Sequence, residues 1–256
     1  MNLEIILLFI LTVAIALGAP SYMFYRQKMV ELSSGENHTK KRVLKLTIVN
    51  VFLNLFVAAL FLALFFLVIS QAISVNQIII FLSILFFLTM FLTFYGNGIY
   101  ITAIVLESYT LQGLKRSTSY GTQFIATHLF HGPISHILVY SGWLLVIFTL
   151  SLLEVFVSTE FYQGLMFLTL ILGTIAGLVY ALGQIYNRTA RFQFITGLVC
   201  LVFFVLVLAI LDIPFLRLPL VSYFFGLILS FNLTLLVYFL TEKLRGREAI
   251  WYSAGS

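Results

Sequence analysis

Charged residues are scarce in this chain, and aspartate is almost absent. Lysine, arginine, aspartate and glutamate make up 9% of 256 residues, and Asp212 is the only aspartate. Intramembrane aspartyl proteases need two aspartates. Mg²⁺-dependent prenyl and CDP-alcohol transferases need acidic clusters that hold diphosphate through the metal. The composition therefore argues against both classes.

Several other signatures are missing as well. Cys200 is the only cysteine, which excludes a disulfide framework. No lysine lies between residues 218 and 240, so a retinal Schiff base cannot form in the last apolar run. The chain also has no phosphate-binding glycine-rich loop with its lysine and no Gly-x-Ser-x-Gly elbow. These absences argue against primary pumping and serine hydrolysis by those routes.

Apolar sequence takes the place of these motifs, since 62% of the residues are hydrophobic. Seven apolar runs are each long enough to cross about 30 Å of hydrocarbon at about 1.5 Å per residue. They cover residues 3–25, 43–69, 78–105, 134–156, 161–186, 192–211 and 218–240. The sequence predicts an all-α integral membrane protein whose residues 1–256 form a single domain of seven transmembrane helices.

Lysine and arginine lie almost entirely on one side of these predicted spans. Thirteen of the fourteen follow the first, third, fifth or seventh span, and only Arg217 lies on the other side. Because these residues mark the cytoplasmic face, the N-terminus is predicted outside the cell membrane and the C-terminus in the cytoplasm. The net charge of +5 is divided among short loops, which favours contact with the lipid bilayer over nucleic acid.

Strongly polar side chains in the spans concentrate toward the predicted cytoplasmic side. An amide buried in hydrocarbon costs free energy unless it is hydrogen-bonded. One interpretation is helix packing, in which small residues on the fifth and seventh spans bring backbones together and the polar groups bond across the seams. The other is a polar pocket open to the cytoplasm. Its candidate ligand-binding residues are Asn50, Asn97, Tyr100, Gln184 and Asn232.

Three of the four histidines lie within nine residues, at His128, His131 and His136. Glycine and proline at 132 and 133 are predicted to end a short interfacial helix that carries the first two, and to begin the fourth span with the third. The first two would share a helix face because they are three residues apart.

This histidine cluster has two interpretations. In the first, the three imidazoles bind Zn²⁺ and can close on it together with Glu107, or ring nitrogens bind a haem iron. Glu107 is then the catalytic residue that transfers protons. In the second, amphipathic imidazoles anchor a surface helix at the membrane interface. Convergence of the imidazoles would distinguish the two.

Two functions follow from these alternatives, and the sequence leaves open whether the protein is an enzyme. The first is a bundle that holds a small or lipidic ligand, or a partner subunit, through the polar pocket. The second is a membrane-embedded metalloenzyme that acts on a lipid or amphiphile. A facilitator for a neutral solute ranks third. A partner subunit would be indicated by a row of small residues exposed to lipid.

Overall fold

The structure is a computed structural model that describes residues 3–33, 36–114, 117–157, 165–214 and 216–246. The side chains of residues 19–48, 50, 108, 109, 111–114 and 118 lie outside that description. Within the described ranges the chain is helical and contains no strand. The α-helices are α1 Leu3–Ser33, α2 Glu36–Ile69, α3 Gln77–Leu114, α4 Gly121–Leu129, α5 Ser135–Val157, α6 Met166–Tyr186, α7 Ala190–Ile210 and α8 Pro219–Leu244.

Six helical segments are long and apolar enough to cross a membrane, which indicates a multi-pass membrane protein. They are Val51–Ile69, Gln77–Glu107, Gly121–Val157, Met166–Tyr186, Ala190–Ile210 and Pro219–Leu244. These segments match the second to seventh predicted spans. The described apolar part of α1, Leu3–Gly18, is shorter. The count of seven spans and the orientation of the termini therefore stay predictions.

The histidine segment forms one continuous helix, although the sequence predicts a break at Gly132 and Pro133. A π-turn, Phe130–Ile134, joins α4 to α5. Proline lacks an N–H and disturbs α-helical bonding to the residue four positions earlier. The Ser135 N–H donates to the Phe130 carbonyl, five residues back, and the Ser135 hydroxyl donates to the carbonyl of His131. The predicted break is therefore wrong, because the π-turn accommodates the proline and continues the helix.

Helices α6 and α8 pack with their backbones in close approach. A Cβ atom built on Gly173 or Gly177 would lie 2.0 or 2.1 Å from a backbone carbonyl oxygen of α8, and one built on Gly226 would lie 2.4 Å from a carbonyl oxygen of α6. The Ser230 hydroxyl donates to the carbonyl of Thr174 at 2.8 Å. These glycines of α6 and α8 thus face the neighbouring helix, as the packing interpretation expects. Gly173 and Gly177 therefore do not form an exposed row for a partner subunit.

A buried carboxylate fixes the beginning of α8. Glu154 near the end of α5 is 1% exposed, and its Oε2 accepts the backbone N–H groups of Leu220 and Val221 at 2.8 and 3.0 Å. The first N–H groups of a helix have no partner within that helix, and the Glu154 carboxyl oxygen satisfies two of them. Glu154 therefore ties α8 to α5.

The close approach of α6 and α8 generates a test of the packing. Gly177→Ala should lower the free energy of unfolding by about 1–3 kcal/mol, because the added methyl group overpacks the seam. Gly98→Ala is the matched control, since no atom lies within 4 Å of a Cβ built there. Thermal unfolding in detergent compares them, and equal midpoints would contradict the packing described.

Candidate metal centre

Glu107 contacts two of the clustered histidines. It lies near the end of α3, whereas His128 lies in α4 and His131 in the π-turn. The His128 Nδ1–H donates to Glu107 Oε1 at 2.8 Å, and the His131 Nδ1–H donates to Oε2. Since the two histidines are three residues apart on one helix, both rings face α3, and each carboxylate oxygen receives one of them.

Neighbouring contacts hold this arrangement in place. The hydroxyl oxygens of Thr110 on α3 and Thr127 on α4 are 3.2 Å apart, which gives the two helices a second hydrogen bond. The Phe124 ring stacks on the ring of His128 with centroids 5.9 Å apart. The side chains of Glu107 and His131 are 18% and 20% exposed, and that of His128 is 40% exposed. The cluster is therefore half-buried but open on the His128 side.

The three residues have the geometry of a metal-binding group. Glu107, His128 and His131 each offer one ligand atom, and these atoms all lie within 4.8 Å of one another. Two imidazoles and one carboxylate form the ligand set of several catalytic zinc sites and of non-haem Fe(II) sites. Such close ligands suit a single ion better than haem, because the porphyrin ring separates the two axial positions of a haem iron.

His136 lies deeper along the same helix. Its ring centroid is 6.3 Å from that of His131 and 5.9 Å from that of Tyr140. Five residues separate it from His131, about 7 Å along the helix axis. Among the described residues, the group with metal-ligand spacing consists of Glu107, His128 and His131. The sequence predicted His136 as the third ligand, and the structure has Glu107 there. The ligand role of His136 stays a prediction.

Two of the predicted pocket residues lie on the same side of α3 as Glu107. The Tyr100 ring is 5.1 Å from the His131 ring and 5.7 Å from the His136 ring, and Tyr100 is 5% exposed. Asn97, one turn earlier, is 8% exposed, and its Nδ2 has no hydrogen-bond partner in the described part of the chain. Tyr100 therefore borders the histidine cluster from within the bundle, whereas Asn97 lies ten residues before Glu107, about 15 Å along the helix axis.

Two other predicted pocket residues, Gln184 and Asn232, form hydrogen bonds close to their own positions in the chain. Gln184 is fully buried, and its Oε1 accepts a hydrogen bond from the Thr189 hydroxyl at 2.7 Å. Asn232 is 5% exposed, and its Nδ2 donates to the carbonyl of Ile228 at 2.7 Å. The side chain of Asn50 lies outside the described residues. The pocket that these five candidates would form stays a prediction.

Gln193 is a further buried polar residue, which the sequence did not predict as a pocket residue. It is fully buried on α7, and its Nε2 donates to the Ser141 hydroxyl at 3.0 Å and to the Ile137 carbonyl at 3.2 Å. Nearby, the Asn187 Nδ2 donates to the Tyr140 hydroxyl at 2.9 Å. The sequence did contain a signal for Gln193. It is an amide near the start of an apolar run, and only a short turn separates that run from the helix of Gln184.

The chain matches no protein-family model, no curated protein and no solved structure.

The contact between Glu107 and the two histidines generates a test that does not depend on a metal. Glu107→Gln should loosen α4 against α3, because a neutral amide forms weaker hydrogen bonds with the two imidazoles than a carboxylate does. A hydrogen bond to a charged group contributes about 1.5–3 kcal/mol. Hydrogen exchange of backbone amides should therefore accelerate in residues 121–134.

Glu242→Gln is the matched control, since Glu242 pairs with the Arg245 side chain three residues later, at 3.3 Å, and not with a histidine of α4. Unchanged exchange in residues 121–134 of Glu107→Gln would show that the carboxylate does not hold α4 in place.

Proposed function

We propose that this multi-pass membrane protein binds one transition-metal ion, of the Zn²⁺ type, through Glu107, His128 and His131, and that the ion serves metal-assisted hydrolysis of a lipid or another amphiphile. The observation that carries the proposal is the ligand group itself, with one carboxylate and two imidazoles whose ligand atoms lie within 4.8 Å of one another. Glu107 then acts as a metal ligand instead of the proton-transfer group that the sequence analysis expected.

The coordination and its position support a catalytic role over a structural one. Three protein ligands leave a fourth position for water, which is the arrangement of catalytic zinc sites, whereas structural sites use four. A metal-bound water is activated as a nucleophile. The 40% exposure of His128 gives water a route to the ion. Because the group lies at the end of a membrane-spanning segment, Gln77–Glu107, amphiphiles are the substrates that the bilayer brings to it.

A second function, the ligand-binding or accessory bundle, is favoured by one specific observation. Each oxygen of Glu107 already accepts a hydrogen bond from one imidazole, so the cluster is a complete contact between α3 and α4 without any ion. In that case the histidines join helices and the protein works through a ligand or a partner. Metal analysis distinguishes the two functions.

We further propose that α1 is a seventh span, with the N-terminus outside the cell membrane and the C-terminus in the cytoplasm. Ile6, Phe9 and Val13 follow one face of α1 and are buried, and the Phe9 ring meets the Tyr223 ring of α8 edge to face at 5.2 Å. This packing supports membership of α1 in the bundle. The distribution of lysine and arginine supports the orientation, which places the Glu107 cluster at the cytoplasmic end.

The metal proposal predicts about one ion per chain in protein purified in detergent and loaded with Zn²⁺. His131→Ala should weaken zinc binding at least tenfold, since even partners of metal ligands contribute about 10–100-fold to affinity. The matched control is His38→Ala, which removes the one histidine outside residues 128–136. Elemental analysis after dialysis gives the stoichiometry.

Failure of the zinc-loaded wild-type protein to retain metal would reject the metalloenzyme and leave the accessory bundle. Equal retention by His131→Ala and His38→Ala would place any bound ion elsewhere.

The orientation predicts which engineered cysteines react in intact cells. Ser74→Cys, between α2 and α3, should react with a membrane-impermeant maleimide added outside, because Ser74 is exposed and lies on the predicted outer side. Ser117→Cys, before α4, should react only after the membrane is permeabilised. The native Cys200 is 3% exposed and should stay unlabelled. If Ser117→Cys reacted in intact cells and Ser74→Cys only after permeabilisation, the orientation would be the opposite of the one proposed.

A further inference from the structure

An open apolar groove runs along α3 and ends at α4. Its volume is about 590 Å³. On α3 its lining extends from Phe91 to Leu106, and on the other side Thr127 and Phe130 close its end. The α3 wall of the groove thus lies within the segment Gln77–Glu107, which is long and apolar enough to span a membrane, and a bilayer would meet the open side of the groove.

The shape of the groove decides what fits it. Fifteen residues separate Phe91 from Leu106, which corresponds to about 22 Å along the helix at about 1.5 Å per residue. The groove, of about 590 Å³, is therefore long and narrow. A partner's helix, about 10–12 Å wide with its side chains, would cover such a groove and not enter it. An extended hydrocarbon chain can lie along it.

The lining matches such a chain in chemistry and in position. Most lining side chains are aromatic or aliphatic, and Gly98 leaves open space where no atom lies within 4 Å of an added Cβ. At the closed end, Leu106 directly precedes Glu107, and Thr127 and Phe130 directly precede His128 and His131. A chain lying in the groove therefore places its polar end beside the cluster.

We propose that this groove binds one acyl chain of a bilayer lipid, with the head-group end of the chain at Glu107, His128 and His131. Binding of the chain depends only on the groove. The second part, that an acyl lipid is the substrate class of the metal centre, rests on the proposed function. The groove runs from Phe91 toward the cluster, so the tail lies deep in the membrane and the linkage to the head group lies at the ion.

The test fills the groove without disturbing the packing. Gly98→Leu places a side chain in the open space of the groove, whereas Gly18→Leu makes the same change on α1, where no atom lies within 4 Å of the added Cβ either. Each protein is reconstituted into vesicles of phosphatidylcholine that carries a photoactivatable diazirine on one acyl chain. After irradiation, mass spectrometry locates the cross-linked residues.

Wild-type protein and Gly18→Leu should cross-link strongly at Phe94, Tyr95 and Thr102. Gly98→Leu should lose most of these cross-links, because the leucine side chain fills the space in which the acyl chain would lie. Cross-links on the exposed face of α7, at Val199 and Phe203, should stay unchanged in all three proteins as a measure of ordinary lipid contact.

Three results would overturn the proposal. The groove could cross-link equally in Gly98→Leu and in wild type, or no more strongly than the exposed face of α7. The groove could also cross-link to a second protein chain instead of lipid. Elemental analysis of the same samples separates the two proposals. Groove cross-links in protein that retains no zinc would reject the metal function alone, and zinc retention without groove cross-links would reject the acyl-chain site alone.

Discussion

The Glu107 carboxylate, with one imidazole on each oxygen, is the contact on which the rest of the site depends. A carboxylate at the end of a membrane-spanning helix is costly unless it finds donors or a metal. Glu107 finds both donors on one neighbouring helix, His128 and His131, and so fixes α4 against α3. That crossing brings three ligand atoms together and closes the apolar groove at Thr127 and Phe130.

The same apolar environment explains why the histidines lie on a helix and not on a loop. Backbone groups within a membrane must find partners in the protein, so a helix interrupted by Pro133 needs a local remedy. The π-turn supplies it, because the Ser135 N–H reaches back to Phe130 and its hydroxyl satisfies the carbonyl of His131. A continuous helix positions imidazoles more precisely than a loop.

The sequence predicted the features that depend on local pattern. Apolar runs gave most of the helices, and the scarcity of histidine elsewhere drew attention to residues 128–136. The sequence did not predict which faces of the helices pack against each other. Glu107 was expected to transfer protons beside three histidine ligands, whereas the structure groups it with two, because only the crossing of α3 and α4 decides which side chains meet. Gln193 and Glu154 were missed since their partners are more than fifty residues away.

The most direct test of the central claim is X-ray absorption spectroscopy at the zinc K-edge on the zinc-loaded protein in vesicles. The account predicts a shell of nitrogen and oxygen atoms at about 2.0–2.1 Å together with the outer-shell scattering of two imidazoles. Glu107→Gln should lose an oxygen from that shell while the imidazole scattering stays. A zinc spectrum without imidazole scattering, or one identical in wild type and Glu107→Gln, would contradict the account.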